Sequence, residues 1–281
     1  MLQRFSKYHG AGNDFLLADN RDGHLSLSAA QIQHLCNRHT GFGGDGVMLL
    51  ESSPAKDFNM VYYNPDGSGG MMCGNGGRCI VAFAADCGAV DPGSKIVFDA
   101  ADGEHVAFIP ESFDGGLRTV RLKMKDVSGI QSYDREKAFF LDTGTRHLVK
   151  FITGLSDYPV LEEGATLRHD ARFAPVGTNV NFIEPGVEDG STLLNIRTFE
   201  KGVEYETLAC GTGIVASAMA AYSFGIPASS SDGDSLRYDV RAAIARLAVD
   251  FVPSGEGASF GAKDVWLTGP AQFVGMIEVE L

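Results

Sequence analysis

The chain has no excess of positive charge: Lys and Arg number 23 against 36 Asp and Glu, a formal net charge of −13 over 281 residues. A nucleic-acid binder needs a basic stripe to neutralise phosphates, so that class of partner is excluded, and an anionic membrane surface is disfavoured on the same ground. No run approaches the roughly 18 apolar residues of a membrane span. The opening MLQRFSKYHGAGNDF lacks the apolar core, about 7–15 residues long, of a secretory signal. The five cysteines (Cys36, Cys73, Cys79, Cys87 and Cys210) make no even disulfide framework, and a chain of this length needs no staples. A reducing cytoplasm is therefore the expected location. Cys73-x5-Cys79 lacks both the tighter spacing and the paired histidines of zinc sites, so no metal is expected. Phosphate loops are missing too. GAGNDF (10–15) and GFGGDG (41–46) do not stand in the strand–helix context a dinucleotide fingerprint needs, and no Walker-type sequence occurs.

Proline is scarce, at 10, whereas glycine reaches 35 with no collagen-like period. Such usage fits many turns and places where backbone approaches a ligand closely. The length accommodates one large domain or two of about 140 residues. In the first half, strand-like runs at 15–20, 47–52, 58–64, 95–100 and 104–110 alternate with turns. Two helical windows interrupt them: SAAQIQHLCNRH (28–39), opened by an N-cap serine, and GGRCIVAFAADCGA (76–89), apolar nearly all round. The second half repeats the plan, with strands at 119–124, 137–144, 147–152, 179–184 and 193–202 and a small-residue helix at 211–225. Residues 236–254 most resemble a strand-rich segment, with a helical middle as the alternative, and VWLTGPAQFVGMIEVEL reads as two closing strands separated by Gly269-Pro270.

The halves share one feature. MCGNGGRCIVAFAAD surrounds Cys73 and ACGTGIVASAMAAY surrounds Cys210, each a C-G-[N/T]-G leading straight into a buried-type helix. They lie about half a chain length apart, and duplication of a domain is the economical explanation. It implies two similar α+β domains whose Cys-helix starts face one another. The first backbone N–H groups of a helix have no intrahelical partner, and the dipole places partial positive charge there. Glycines let a carboxylate sit against those groups, and a cysteine there has its thiolate stabilised by the same field. Two such units can hold one α-carboxylate with a sulfur on each face of the α-carbon. One thiolate then acts as base and the other thiol as acid, reversing roles for the reverse inversion. The alternatives for these two cysteines are core packing and a disulfide formed under oxidation. Cys36, Cys79 and Cys87 are expected in the core. Asn64, beside Cys73 in sequence, is either a ligand contact or part of a plain NPDGS turn.

The motifs YHGAGNDF, LCNRHTGFGGDGVMLL, MVYYNPDGSGGMMCGNGGRC, TGTRH, GTNVNF, IRTFEKGVEYETLACGTG and GPAQFVG run end to end through the chain. Together they resemble the diaminopimelate epimerase family, which interconverts LL- and meso-diaminopimelate on the route to lysine and peptidoglycan. The resemblance implies an α+β fold of two pseudo-symmetric domains, each a mostly antiparallel sheet wrapped around a central helix. One would span 1–125 and carry Cys73, joined by a returning C-terminal strand at 271–281; the other would span 126–270 and carry Cys210. It implies no pyridoxal phosphate, no metal and a small-molecule amino-acid substrate, and a homodimer is common in that family. Carried over by motif, Cys73 and Cys210 are the acid/base pair, and Gly74, Asn75, Gly211 and Thr212 cradle the reacting carboxylate. His147 and Glu200 touch the reacting ammonium and help set thiol protonation. Asn13, Asn64, Asn181 and Lys201 hold the distal centre. Two positions depart from the family: Thr145-Arg146 stands where Asn-Pro is usual, and Lys201 where an arginine is usual. Lysine keeps the charge but not the planar fork. Both changes fall on substrate recognition, so a related cofactor-independent racemase of another amino acid, such as histidine, is the alternative.

Overall fold

A computed structural model describes residues 2–113, 115–133, 135, 137–255 and 260–281. The chain divides into two compact units, one of residues 1–122 with 269–281 and the other of 123–268.

The first unit contains β1 (Leu2–Gly10), β2 (Asn13–Asp19), α1 (Ala29–Cys36), β3 (Val47–Glu51), β4 (Phe58–Tyr63), α2 (Gly74–Asp86), β5 (Ile96–Ala100), β6 (Gly103–Phe113) and β7 (Leu117–Lys123). Strand β1 pairs antiparallel with β2, β2 runs parallel to β3 across α1, and β3 returns antiparallel to β4. Strand β4 then runs parallel to β5 across α2, and β5, β6 and β7 form an antiparallel meander. Helix α1 starts as its sequence dictates: Ser28 and Gln31 form a reciprocal capping box. It stops at Cys36, three residues short of the expected window. The Asn37 side chain accepts from the N–H groups of His39 and Thr40, and this local turn competes with another helical turn. Helix α2 is buried from Gly74 to Ala84 and packs on β1, β2 and β3. Cys36 and Cys79 are in the core, whereas Cys87 is half-buried at the C-cap of α2.

The second unit contains β8 (Val127–Ser128), β9 (Gln131–Tyr133), β10 (Ala138–Asp142), β11 (Arg146–Phe151), α3 (Val160–Arg168), β12 (Asn179–Glu188), β13 (Ser191–Glu200), β14 (Tyr205–Thr207), α4 (Gly211–Phe224), β15 (Ser230–Asp232), β16 (Ser235–Arg241), β17 (Arg246–Ser254) and the start of β18 (Gly261–Glu280). Its pairings recur in the order of the first unit. Strand β10 is antiparallel to β11, β11 parallel to β12 across α3, and β12 antiparallel to β13. Strand β13 is parallel to β16 across α4, and β16, β17 and β18 continue antiparallel. Helix α4 packs on β10–β13, β16 and β17, its small residues buried almost throughout.

The strand-rich segment 236–254 is a hairpin, β16 and β17, with no helix in its middle. Two other features differ from the sequence expectations. Helix α3, which begins directly after Pro159, is not among the helices expected from the sequence, and Gly164 in its middle lowers its intrinsic propensity. Gly164 is there for packing: a Cβ would lie 2.4 Å from the Phe199 Cβ, so only glycine lets α3 rest on β13. The C-terminal segment is one 20-residue strand, not two. Pro270 pairs with Thr119 of β7, and pairing with β1 begins only at Gln272, so the missing proline N–H removes no ladder bond.

Candidate active site

In the first unit, Cys73 is the N-cap of α2, in extended backbone (φ −115°, ψ 154°), and its Sγ accepts from the Gly76 N–H at 3.3 Å. Cys73 is exposed, while Gly74 and Asn75 behind it are buried. The cap directs the sulfur at the amino end of the helix, where partial positive charge favours an anion. Asn75 Oδ1 accepts from Arg78 Nη2 at 2.8 Å, and Asn75 Nδ2 faces Asn13 Oδ1 at 3.4 Å. Asn13, at the head of β2, donates through Nδ2 to Asp45 Oδ2 at 2.5 Å. Asp45 also accepts from the Asp14 N–H and from Arg38, and the buried Asp14 is paired with Arg38 and Lys7. Burial alone would raise the Asp14 pKa, but hydrogen bonds from Arg38 and Lys7 outweigh it and hold the group at about 2. The GFGGDG segment thus delivers Asp45 to Asn13; neither Asp45 nor Arg78 was picked out from the sequence, although both stand inside motifs that were. Asn64 Nδ2 donates to Ser68 Oγ and Gly69 O, so its amide nitrogen closes the NPDGS turn.

In the second unit, Cys210 is the N-cap of α4 and is buried, with its Sγ 3.4 Å from Thr212 Oγ1. His147, at the head of β11, is fully buried. Its Nε2 lies 2.9 Å from both Thr145 Oγ1 and Thr212 Oγ1, and its Nδ1 lies 3.0 Å from Asn181 Nδ2. Asn181 Nδ2 also donates to the Leu148 carbonyl, which can only accept, so the amide orientation is fixed and Oδ1 accepts from the Thr198 hydroxyl. His147 Nδ1 is therefore the acceptor, and the proton sits on Nε2, aimed at the two threonine hydroxyls. Burial holds the ring's pKa down to about 3, so it is neutral at neutral pH. Asn181 stands behind His147, with its whole amide engaged inside the unit. Gly213 makes this possible: a Cβ there would lie 2.3 Å from Asn181 Oδ1.

Glu200, at the end of β13, accepts from Thr207 Oγ1 at 2.9 Å; burial raises its pKa, and that hydrogen bond opposes the rise. The Lys201 N–H donates to Asn179 Oδ1, and Asn179 Nδ2 donates to the Arg146 carbonyl, which ties the Glu200–Lys201 corner to the head of β11. Asn179 was not singled out from the sequence; only its place in GTNVNF hinted at it. The structure thus gathers Asn13 and Asn75 with Cys73 in one unit, and Thr145, His147, Asn181, Gly211 and Thr212 with Cys210 in the other. Among the described residues, no helix is long and apolar enough to cross a membrane.

Residues 5–110 and 139–236 match the diaminopimelate epimerase family. The chain is 40% identical over 272 residues to the diaminopimelate epimerase of Flavobacterium psychrophilum, covering 95% of this chain and 96% of that one. It is also 40% identical over 272 residues to that of Chlorobaculum tepidum, covering 94% and 96%. Among solved structures, the phenazine biosynthesis protein of the PhzF family from Bacillus anthracis superposes over 100% of both chains with a TM-score of 0.70 at 14% identity. A probable proline racemase from Agrobacterium radiobacter gives a TM-score of 0.65 at 17% identity, over 99% of this chain and 93% of that one. At such identities the likeness is one of fold, a mostly sheet architecture with few helices. The motif pair around Cys73 and Cys210, the matched segments and the near full-length relatives agree: the chain belongs to the diaminopimelate epimerase family.

Proposed function

We propose that the protein inverts one α-carbon of LL-2,6-diaminopimelate to give the meso form, with Cys73 and Cys210 as the two proton-transferring groups. The observation that carries this reading is that each unit sets one cysteine at the N-cap of its buried helix, behind C-G-x-G. A thiolate takes the α-proton from one face, and the C–H electron pair moves into the carboxylate as an enolate-like anion. The other cysteine, as a thiol, returns a proton to the opposite face, and the electron pair goes back to carbon. Each unit supplies one thiol. The backbone N–H groups of Gly74, Asn75, Gly211 and Thr212 are the donors for the charge that develops on the carboxylate. Glu200 is the partner for the reacting ammonium, and Asn13, Asn64 and Lys201 are those for the distal amino-acid head. His147, neutral and buried, acts on Cys210 through Thr212, with Asn181 holding its tautomer.

The recurring pairing order supports two pseudo-symmetric domains, 1–125 with 271–281 and 126–270, each a sheet wrapped around a central helix. A homodimer in the cytoplasm belongs to the same reading. The test is the conversion of LL-diaminopimelate by reduced protein and by Cys73→Ala and Cys210→Ala variants, with loss of turnover expected in both. Full turnover in either variant refutes the assignment. Thr145 and Lys201 favour a second reading, racemisation of a different amino acid; a screen of single amino acids separates the two.

A further inference from the structure

Arg78 is a buried cation whose burial the reaction as described does not explain. Among the described residues it is the largest fully buried side chain, at 0% exposure, and no carboxylate pairs with it. Its guanidinium donates to Gly74 O at 3.1 Å, Asn75 Oδ1 at 2.8 Å and Pro270 O at 3.3 Å, all neutral acceptors. Burying a charge without a counter-ion is among the least favourable things a fold can do. Its position adds to the difficulty. A helical side chain points back toward the amino end, and the bond to Gly74 O places this guanidinium under the first turn of α2. The helix dipole is already positive there, which disfavours a cation and favours an anion.

We propose that Arg78 is a positioning residue for Cys73: its buried guanidinium and the helix start together hold that cysteine as a thiolate and fix the Asn75 amide beside it. The second part follows from hydrogen-bond roles. Arginine only donates, so Asn75 must turn its oxygen to Arg78 and its nitrogen toward Asn13. The first part follows from what else faces the sulfur. Tyr62 of β4 and Cys79 of α2 are electrostatically coupled to Cys73, and burial, above all, pushes both well up, so both are neutral at neutral pH. Asp14 and Asp45, beyond Asn13, are offset by Lys7 and Arg38. Among these groups Arg78 is the charge that no carboxylate offsets, and its own pKa is lowered by burial and raised by its coupling to Cys79 and Cys73.

This inference rests on Cys73 acting as an acid/base group. It is tested by a readout that needs no turnover: the pH dependence of iodoacetamide alkylation, followed at the Cys73 and Cys210 peptides by mass spectrometry in the reduced full-length chain. In the native sequence the Cys73 midpoint is expected below the thiol reference of about 8.5. Arg78→Met should raise it by about one pH unit or more, with Cys210 unmoved and native circular dichroism, while Arg78→Lys should keep most of the depression. A folded Arg78→Met protein with an unshifted Cys73 midpoint overturns the proposal, as does an equal shift at both cysteines. Should neither variant fold, the native midpoint decides, and a value at or above the reference overturns it. If alkylation responds as described but the protein does not epimerise diaminopimelate, the role of Arg78 stands and the substrate assignment falls.

Discussion

Replacing Gly213 with alanine sets two effects of opposite sign against each other. Gly213 is the third residue of α4, and alanine is favoured over glycine within a helix by roughly 1 kcal/mol. Propensity alone therefore expects a more stable protein. The packing expects the reverse, because the new Cβ would lie 2.3 Å from Asn181 Oδ1 and 3.3 Å from His147 Cε1, the first shorter than real Cβ contacts allow. Asn181 has nowhere to move: it is fully buried, with its amide held by His147, Leu148 and Thr198. Overpacking costs about 1–3 kcal/mol, and a contact this short against an amide with no room to move belongs in the upper half of that range, so after the propensity gain a net loss of about 1–2 kcal/mol is expected. Relief of the clash also displaces the start of α4, and a shift of an ångström at a reacting group costs on the order of 10²-fold in rate. Urea unfolding followed by circular dichroism gives the stability, and turnover of LL-diaminopimelate gives the rate. Asn181→Ser supplies the control, because it removes the atom the Cβ would strike. The double variant should be more stable than the sum of the singles by about 0.5–3 kcal/mol. A Gly213→Ala protein as stable as the native one, or strict additivity with Asn181→Ser, would refute the close-approach argument.

Acid titration should show two separate windows. His147 stays neutral in the fold down to about pH 3. The unfolded chain protonates it near pH 6.5, so below that pH the unfolded state binds the extra proton and stability falls by about 1.4 kcal/mol per pH unit. Between pH 6.5 and 4.5 this amounts to about 2–3 kcal/mol, and a His147→Asn variant should lose that slope; an unchanged slope would show that the ring is not buried neutral. Asp14 behaves as a depressed carboxylate: its contribution is present above about pH 4 and is lost as pH falls toward its folded value of about 2. Asp14→Asn should therefore cost about 2 kcal/mol at pH 7, with the difference from the native chain closing toward pH 2; a constant difference across that range would argue against the pairing with Lys7 and Arg38. Thr212→Val removes the hydroxyl between His147 and Cys210 and should lower kcat/KM about 10–100-fold, while Thr212→Ser should restore most of it. Equal activity in both variants would remove the link from His147 to the sulfur.

Much of the fold could be read from the residues because its signals are local. Strand alternation, the Ser28 capping box and the two C-G-x-G starts each declare themselves within a few positions. Helix α3 was hidden because Gly164 answers to Phe199, a residue far along the chain, and no local rule contains that contact. The continuity of β18 was hidden for a similar reason: whether Pro270 breaks a strand depends on which neighbour is missing on its N–H side, which is a matter of register. In the site, the two cysteines were legible from their matched frames. The supporting residues were not. Asp45 looks like part of a glycine turn until Asn13 is seen against it, and Arg78 reads as an ordinary helix residue until its burial is known. Asn181 was recognisable as important, but its contact with His147 depends on a parallel pairing of β11 with β12 that sequence spacing does not specify.

The central claim, inversion by one sulfur on each face of the carbon, is tested most directly by early-time isotope transfer. Reduced protein is incubated with LL-diaminopimelate in D2O, and the α-positions of substrate and product are followed before equilibrium by NMR or mass spectrometry. Transfer by two groups predicts meso product carrying deuterium at the inverted centre while the remaining LL substrate stays unlabelled. Label entering the LL pool as fast as the meso pool would mean that one group serves both faces. No inversion and no exchange would contradict the account altogether.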